Sequence, residues 1–436
     1  MSQSNWKEAV EEEWKRREKL RNEQPAPWEF PLNQQTYDSQ EIIAMIDCLI
    51  DGRLSMANRV DQFEKVFGEK VGEKFTVYCN SGSSANLLAV ACACCAERTE
   101  KNGYLKPGDE VIVPALCWST SVFPLLQYGL KPVFVDVNPL TLNTTLENIK
   151  KATTPKTRAI FMVHVMGNVG CDEGMEELLK YAKTQNWIVF EDTCESFLSR
   201  WDGKVLGGFG DFGMYSFYFS HHLCTGEGGM VICKNQRDHD LLRSIRAHGW
   251  TRLHSKDFKK EEEKNYPDID NRFLFAHMGY NLRPMEIQAA MGLEQMKKID
   301  EMNACRVKSY YLFIEKIKKH PKYADQFDFI TKFSDKCEPI WFGLPCLLKE
   351  KFQSKRNEFL EHLTKHKIEN RPVLTGNFCR QPAIKKHPLC KEQAEHPEKL
   401  SGADRVHFCG FYIGTCSVFV DETGIDKIVN AIMDFF

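Results

Sequence analysis

Five separated stretches carry residue types that could act on one ligand. Residues 80–86 read NSGSSAN, a run of small residues between an apolar pattern and a helical one. Small side chains there let backbone N–H groups approach an anion at a helix N-terminus, where the dipole favours negative charge. Ser83 and Ser84 are the candidate phosphate contacts, with a plain helix cap as the competing reading. Trp118, in VPALCWSTS (113–121), offers a ring face for stacking if it is not a core residue; stacking contributes about 1 kcal/mol beyond area burial. VFEDTCES (189–196) ends an apolar run with adjacent acids, and a carboxylate there can pair with a cationic ring nitrogen and keep it protonated. SFYFSHHLCTGEGG (216–229) carries two histidines, the side chains that exchange protons near neutral pH. The fifth stretch, HMGYNLRPMEIQAAMGLEQM (277–296), places Asn281 just ahead of a helical pattern.

These stretches need elements that bring them together. Apolar runs at 75–79, 110–115, 132–137, 159–165, 187–192, 213–219 and 229–234 alternate with helical patterns such as SSANLLAVACACCAER and EGMEELLKYAKTQN. Continuous apolar strands between helices predict an α/β protein with a mostly parallel sheet covered on both faces. Ligands of such sheets bind at the carboxyl ends of strands, and the candidate residues fall there. Residues 1–28 read as a charged helix, 29–300 as a large ligand-binding domain and 301–436 as a smaller C-terminal domain reached through a long helical pattern.

The five stretches resemble, in order and spacing, those of the DegT/DnrJ/EryC1/StrS sugar aminotransferases. That resemblance implies an aspartate-aminotransferase-like fold (PLP fold type I) and a pyridoxal 5'-phosphate or pyridoxamine 5'-phosphate cofactor. It places Trp118 over the pyridine face, Asp192 against the pyridinium nitrogen and Ser216 on the phosphate. It also sends Asn281 to the phosphate of a neighbouring subunit, hence a homodimer with shared active sites. The family pattern S-F-x-x-[ST]-K-x-x-[ST]-x-G-[ED]-G-G puts His221 where a lysine is expected. Imidazole keeps the acid–base chemistry but cannot anchor the aldehyde covalently. His222 is a rival base, and alignment favours His221. Glu195 stands where many members carry glutamine; an acid there would repel a phenolate unless it is protonated or turned away.

Within the family, histidine marks a subgroup that removes a hydroxyl from a nucleotide sugar. The implied reaction takes the 3-hydroxyl from an NDP-4-keto-6-deoxy sugar and releases a 4-keto-3,6-dideoxy sugar and ammonia. One type acts on CDP-4-keto-6-deoxyglucose and uses a 2Fe–2S cluster held in the loop after the GEGG strand. The corresponding segment here, 248–275, contains no cysteine, and such a cluster needs four thiolates. The other type acts on GDP-4-keto-6-deoxymannose, has no cluster and regenerates the amine with L-glutamate; the sequence favours that type. Arg371 or Arg380 could clamp a diphosphate or the glutamate carboxylate, or form a surface ion pair. An aminotransferase lacking its lysine, and a catalytically silent dimer that binds nucleotide sugar, remain as alternatives.

Bulk composition bounds the rest. The chain has 436 residues and a net charge of −2, so a nucleic-acid partner is not expected. No apolar run reaches the roughly 18 residues of a membrane helix, and the mixed-charge N-terminus resembles no secretory signal; a cytoplasmic protein is expected. Seventeen cysteines lie scattered in apolar contexts. Buried reduced thiols are the expected reading, also for Cys92, Cys94 and Cys95, against a metal site.

Overall fold

The computed structural model describes residues 5–24, 26–98, 102–419 and 421–436. A seven-stranded sheet organises the large domain: β1 (Phe75–Cys79), β2 (Glu110–Pro114), β3 (Lys131–Val135), β4 (Thr157–Val163), β5 (Ile188–Asp192), β6 (Phe212–Ser216) and β7 (Gly229–Cys233). Their order across the sheet is β1-β7-β6-β5-β4-β2-β3. β3, β2, β4, β5 and β6 pair in parallel, whereas β7 runs antiparallel between β6 and β1.

Side-chain alternation explains the unbroken apolar strands. Val111, Val113, Phe161, Phe190 and Met214 join one core, and Ile112, Ile160, Met162 and Val189 another, on the opposite face. Phe161, Phe190 and Phe212 stack in sequence across three strands, with centroids 5.3 and 5.5 Å apart. The same alternation separates the adjacent acids ending β5: Asp192 follows the phase of Phe190, and Glu191 that of Val189.

The N-terminal helix Asn5–Glu23 is largely exposed and packs through Trp14 on Tyr37. A small domain carries an antiparallel sheet of Phe327–Phe329, Leu344–Leu348, Gly410–Ile413 and Asn370–Arg371, in that order. Residue 300, expected as a boundary, lies inside one unbroken helix, Glu286–Lys319. At 34 residues this helix is about 50 Å long and serves both domains. Phe30, expected at the start of the large domain, bridges instead to Ile368 of the small one. All seventeen cysteines are free, and among the described residues no three His, Cys, Asp or Glu side chains group as a metal site. No described helix is long and apolar enough to cross a membrane.

Candidate active site

A cavity of about 360 Å³ opens at the carboxyl ends of β4, β5 and β6. Ser83, Trp118, Asp192, Glu195, Ser216 and His221, nominated from separate motifs, all line it. Helix Gly82–Ala93 points its N-terminus at this space, capped by the Ser81 hydroxyl, which accepts the Ser84 N–H at 3.1 Å. Gly82 is required for the approach: a Cβ there would collide with the side chain of Ser216. Ser83 therefore faces the cavity beside Ser216 and the free helix amides. The Ser84 hydroxyl, expected at the phosphate, lies 3.0 Å from that of Ser81 and is not among the side chains lining the cavity.

Asp192 is buried and fixed from several sides. Its Oδ2 accepts hydrogen bonds from Asn86 Nδ2 (2.8 Å) and Ser121 Oγ (2.9 Å), and Oδ1 accepts the Cys194 N–H at 3.2 Å. Glu191 turns to the other face, where His164 and the N–H groups of Gly207, Phe209 and Gly210 surround its carboxylate. Burial opposes its ionisation, but these donors outweigh burial and hold Glu191 below the usual carboxylate range. Only Asp192 is thus presented to a ligand. Trp118 is 51% exposed beside it, an open ring face and not a core residue.

Glu195 lines the cavity and accepts the Met166 N–H at 3.1 Å. Burial, reinforced by the charge of Asp192, pushes its carboxyl up to about 8. A carboxyl raised this far holds its proton at neutral pH and would not repel a phenolate placed beside it.

The two histidines diverge. The chain after β6 turns, with His221 N–H donating to Tyr218 O; it is not the extended segment expected over 217–219. The His221 ring lines the cavity, and its Nδ1 donates to Cys194 O at 2.6 Å. That bond fixes the tautomer: Nε2 is left as the acceptor. Burial pushes His221 down to about 4, with Arg306 adding to the depression, while the Cys194 carbonyl and Asp192 oppose it. His222 points away, its Nε2 donating to Ile340 O at 3.0 Å.

Other nominated residues lie outside the cavity. Arg380 is held in a two-point pair by Asp404, at 2.7 and 2.5 Å, and stacks on Phe408. It is not placed to clamp a ligand; Asn377 binds the same Asp404. Arg371 is exposed on the edge strand, 3.4 Å from Glu369. It neighbours Tyr412, which lines the cavity. Asn281 is exposed on the surface and accepts from Arg283 Nε at 3.0 Å. Tyr218, Phe342, Leu374 and Tyr412 complete the walls without having been nominated. Asn86 and Ser121 were also missed, although both stand inside stretches already singled out.

An open aromatic face, a carboxylate fixed beside it, and free helix amides with two serines suit a flat cationic heterocycle with a phosphate tail, as in pyridoxal or pyridoxamine phosphate. The DegT/DnrJ/EryC1/StrS aminotransferase family profile matches residues 35–432. The chain belongs to this family. The GDP-4-keto-6-deoxy-D-mannose 3-dehydratase of Yersinia pseudotuberculosis is 38% identical over 357 residues, covering 82% of this chain and 87% of the relative. The protein of that description from Escherichia coli O55:H7 is 36% identical over 358 residues, covering 82% and 89%. A solved GDP-4-keto-6-deoxymannose 3-dehydratase with a trapped PLP-glutamate geminal diamine aligns with a TM-score of 0.81 at 32% identity, over 92% of this chain and 100% of that one. The family fold is therefore the expected α/β, aspartate-aminotransferase-like one.

Proposed function

We propose that this protein is a PLP/PMP-dependent dehydratase. It removes the C3 hydroxyl of an NDP-4-keto-6-deoxyhexose and uses L-glutamate as amino donor. The likeness to GDP-4-keto-6-deoxy-D-mannose 3-dehydratases supports the reaction and a GDP-linked substrate. The observation that carries the mechanism is the orientation of His221: Nδ1–H is tied to a carbonyl and Nε2 is free, in a cavity that no described lysine lines.

When bound, the cofactor supplies the amino group and the electron sink. Asp192 keeps its ring nitrogen protonated, and Asn86 and Ser121 hold Asp192 in place. Glu195, whose raised carboxyl keeps its proton at neutral pH, would face the phenolic oxygen as a donor. Ser83, Ser216 and the helix amides take the phosphate. Nε2 of His221 would take up and return the proton beside the amino group, and the 3-hydroxyl would leave as water on gaining a proton. With no described lysine lining the cavity to bond the cofactor aldehyde, the released unsaturated amino sugar would tautomerise and be hydrolysed by water to the ketone and ammonia. The glutamate half-reaction, a proton shift between two carbons, uses the same imidazole.

Charge balance supports sites shared between the two subunits of a homodimer. The described lining contains Asp192, Glu195 and Glu227 but no lysine or arginine, while the ligands bring a phosphate, a diphosphate and a carboxylate. Arg283 sits on Asn281, and Arg252 stacks on Trp250 at 4.0 Å. This surface also carries exposed Phe273 and Met278 and would carry cations across to a second subunit.

Incubation with PLP, L-glutamate and a panel of NDP-4-keto-6-deoxyhexoses, followed by mass analysis, tests the reaction. Loss of water with release of ammonia is expected. An amino sugar would instead indicate an aminotransferase. No change in the absorbance of bound cofactor on adding glutamate would indicate a silent binding protein.

A further inference from the structure

Tyr412 brings to the cavity a phenol that no other side chain engages. It belongs to the strand Gly410–Ile413 and pairs there with Pro345 on one side and Arg371 on the other. Its ring packs over Gly343, where a Cβ would come within 2.7 Å of Tyr412 Cδ2. Two neighbouring strands and that glycine fix the ring, and it lines the cavity. Among the described residues its hydroxyl has no hydrogen-bond partner. A phenol can both donate and accept, so this one is left for a ligand.

Its place beside the candidate base suggests which ligand group it meets. The Phe342 ring contacts both residues, with centroids 5.2 Å from His221 and 6.2 Å from Tyr412. Imidazole and phenol therefore share one wall. The reaction moves protons at two positions several bonds apart. One proton is taken up beside the amino group; another must reach the 3-hydroxyl, since hydroxide is a poor leaving group. The Cys194 carbonyl commits His221 Nε2 to accepting, so the second position needs a donor. Tyr218, the other phenol of the lining, is 40% exposed and packs on Phe219 in the turn after β6. Tyr412 is the more rigidly held of the two, and a fixed donor is what proton transfer rewards.

We propose that Tyr412 is a catalytic residue: its phenol supplies the proton with which the 3-hydroxyl leaves as water. The proposal rests on the dehydratase reading and on His221 as the base. As His221 takes up its proton, the electron pair released there is passed to the sugar, where a C3–C4 double bond forms. The C3–O bond breaks with its pair on oxygen, and the phenolic proton completes the water. His221 has then gained one proton and Tyr412 lost one, so exchange with solvent resets the pair without net change. Burial, reinforced by the charge of Glu195, keeps the phenol protonated at neutral pH, as a donor must be.

Tyr412→Phe keeps the ring and removes only the hydroxyl. Single-turnover measurements on the holoenzyme should show water loss slowed about a hundredfold, the lower range for removing a general acid. The glutamate half-reaction expels no hydroxyl, and the absorbance change of bound cofactor should keep its native rate. A substrate with fluorine in place of the 3-hydroxyl tests the acid directly, because fluoride departs without a proton. Tyr412→Phe should release fluoride as fast as the native protein does. Water loss at the native rate in Tyr412→Phe overturns the proposal. An equal fall in water loss, fluoride release and the glutamate half-reaction also overturns it, since a packing role would act on all three. If the native protein releases neither water nor fluoride, the dehydratase reading itself fails, and the proposal with it.

Discussion

The floor and the rim of the cavity are built on different principles. On the floor, Asp192 has three hydrogen-bond donors, Glu195 a backbone amide, and His221 a carbonyl that sets its tautomer. Each partner comes from a strand end, a helix N-terminus or the turn beside one. On the rim, Trp118 is half open, and Asn281 and Arg371 lie exposed on the surface with side-chain partners only two residues away. The groups proposed to move protons are therefore set within one chain, whereas the groups that would recognise anions are few and lie toward the outside. On the proposed reading, geometry is fixed where bonds would break, and charge recognition would fall to a surface that a second subunit could complete.

Damage to the floor should be the most costly. Asp192→Asn leaves Asn86 and Ser121 in place but removes the charge opposite the ring nitrogen; dehydration should fall about a hundredfold or more, as when one partner of a buried ion pair is lost. Steady-state rates at saturating cofactor check this. Damage to the rim should act through binding and across subunits. The Asn281→Ala, Arg283→Ala double variant should raise KM about tenfold or more, the effect of truncating one side of a desolvated charge contact. Mixed with inactive His221→Asn protein, it should regain activity, because each heterodimer assembles one native site. Absence of complementation would place both sets of groups in the same subunit's site.

A smaller effect is expected at Glu195. Its folded carboxyl holds a proton up to about 8, while an unfolded glutamate loses it near ~4.3. The folded state thus binds more protons across that window, so this group lowers stability as pH rises through it. Glu195→Gln mimics the neutral acid. It should retain activity at neutral pH, and its melting temperature should gain on the native protein as pH rises through this window. Thermal unfolding at several pH values measures the gain; a constant difference would mean that Glu195 is not protonated in the fold.

The floor was also the more legible region. Strands buried on both faces must be apolar at every position, so β1 to β7 stood out as continuous runs, and the residues just past their ends followed. Asp192 could be separated from Glu191 by resemblance, and the alternation along β5 supplies the physical reason. What escaped depends on distant segments. Phe342, Leu374 and Tyr412 reach the cavity only because the small domain packs against the large one. Arg380 looked free because its partner, Asp404, stands 24 residues on. No chain break marks the boundary expected at residue 300, because one helix, Glu286–Lys319, runs through it and serves both domains.

The most direct test of the central claim is the rate of water loss by the His221→Lys variant. Lysine there can bond to the cofactor aldehyde, and it lacks the neutral Nε2 acceptor that the Cys194 carbonyl sets up. Dehydration is expected to fall by about a thousandfold, within the range for removing a general base. A variant that dehydrates the nucleotide sugar at the native rate would contradict the assignment of His221 as the proton carrier.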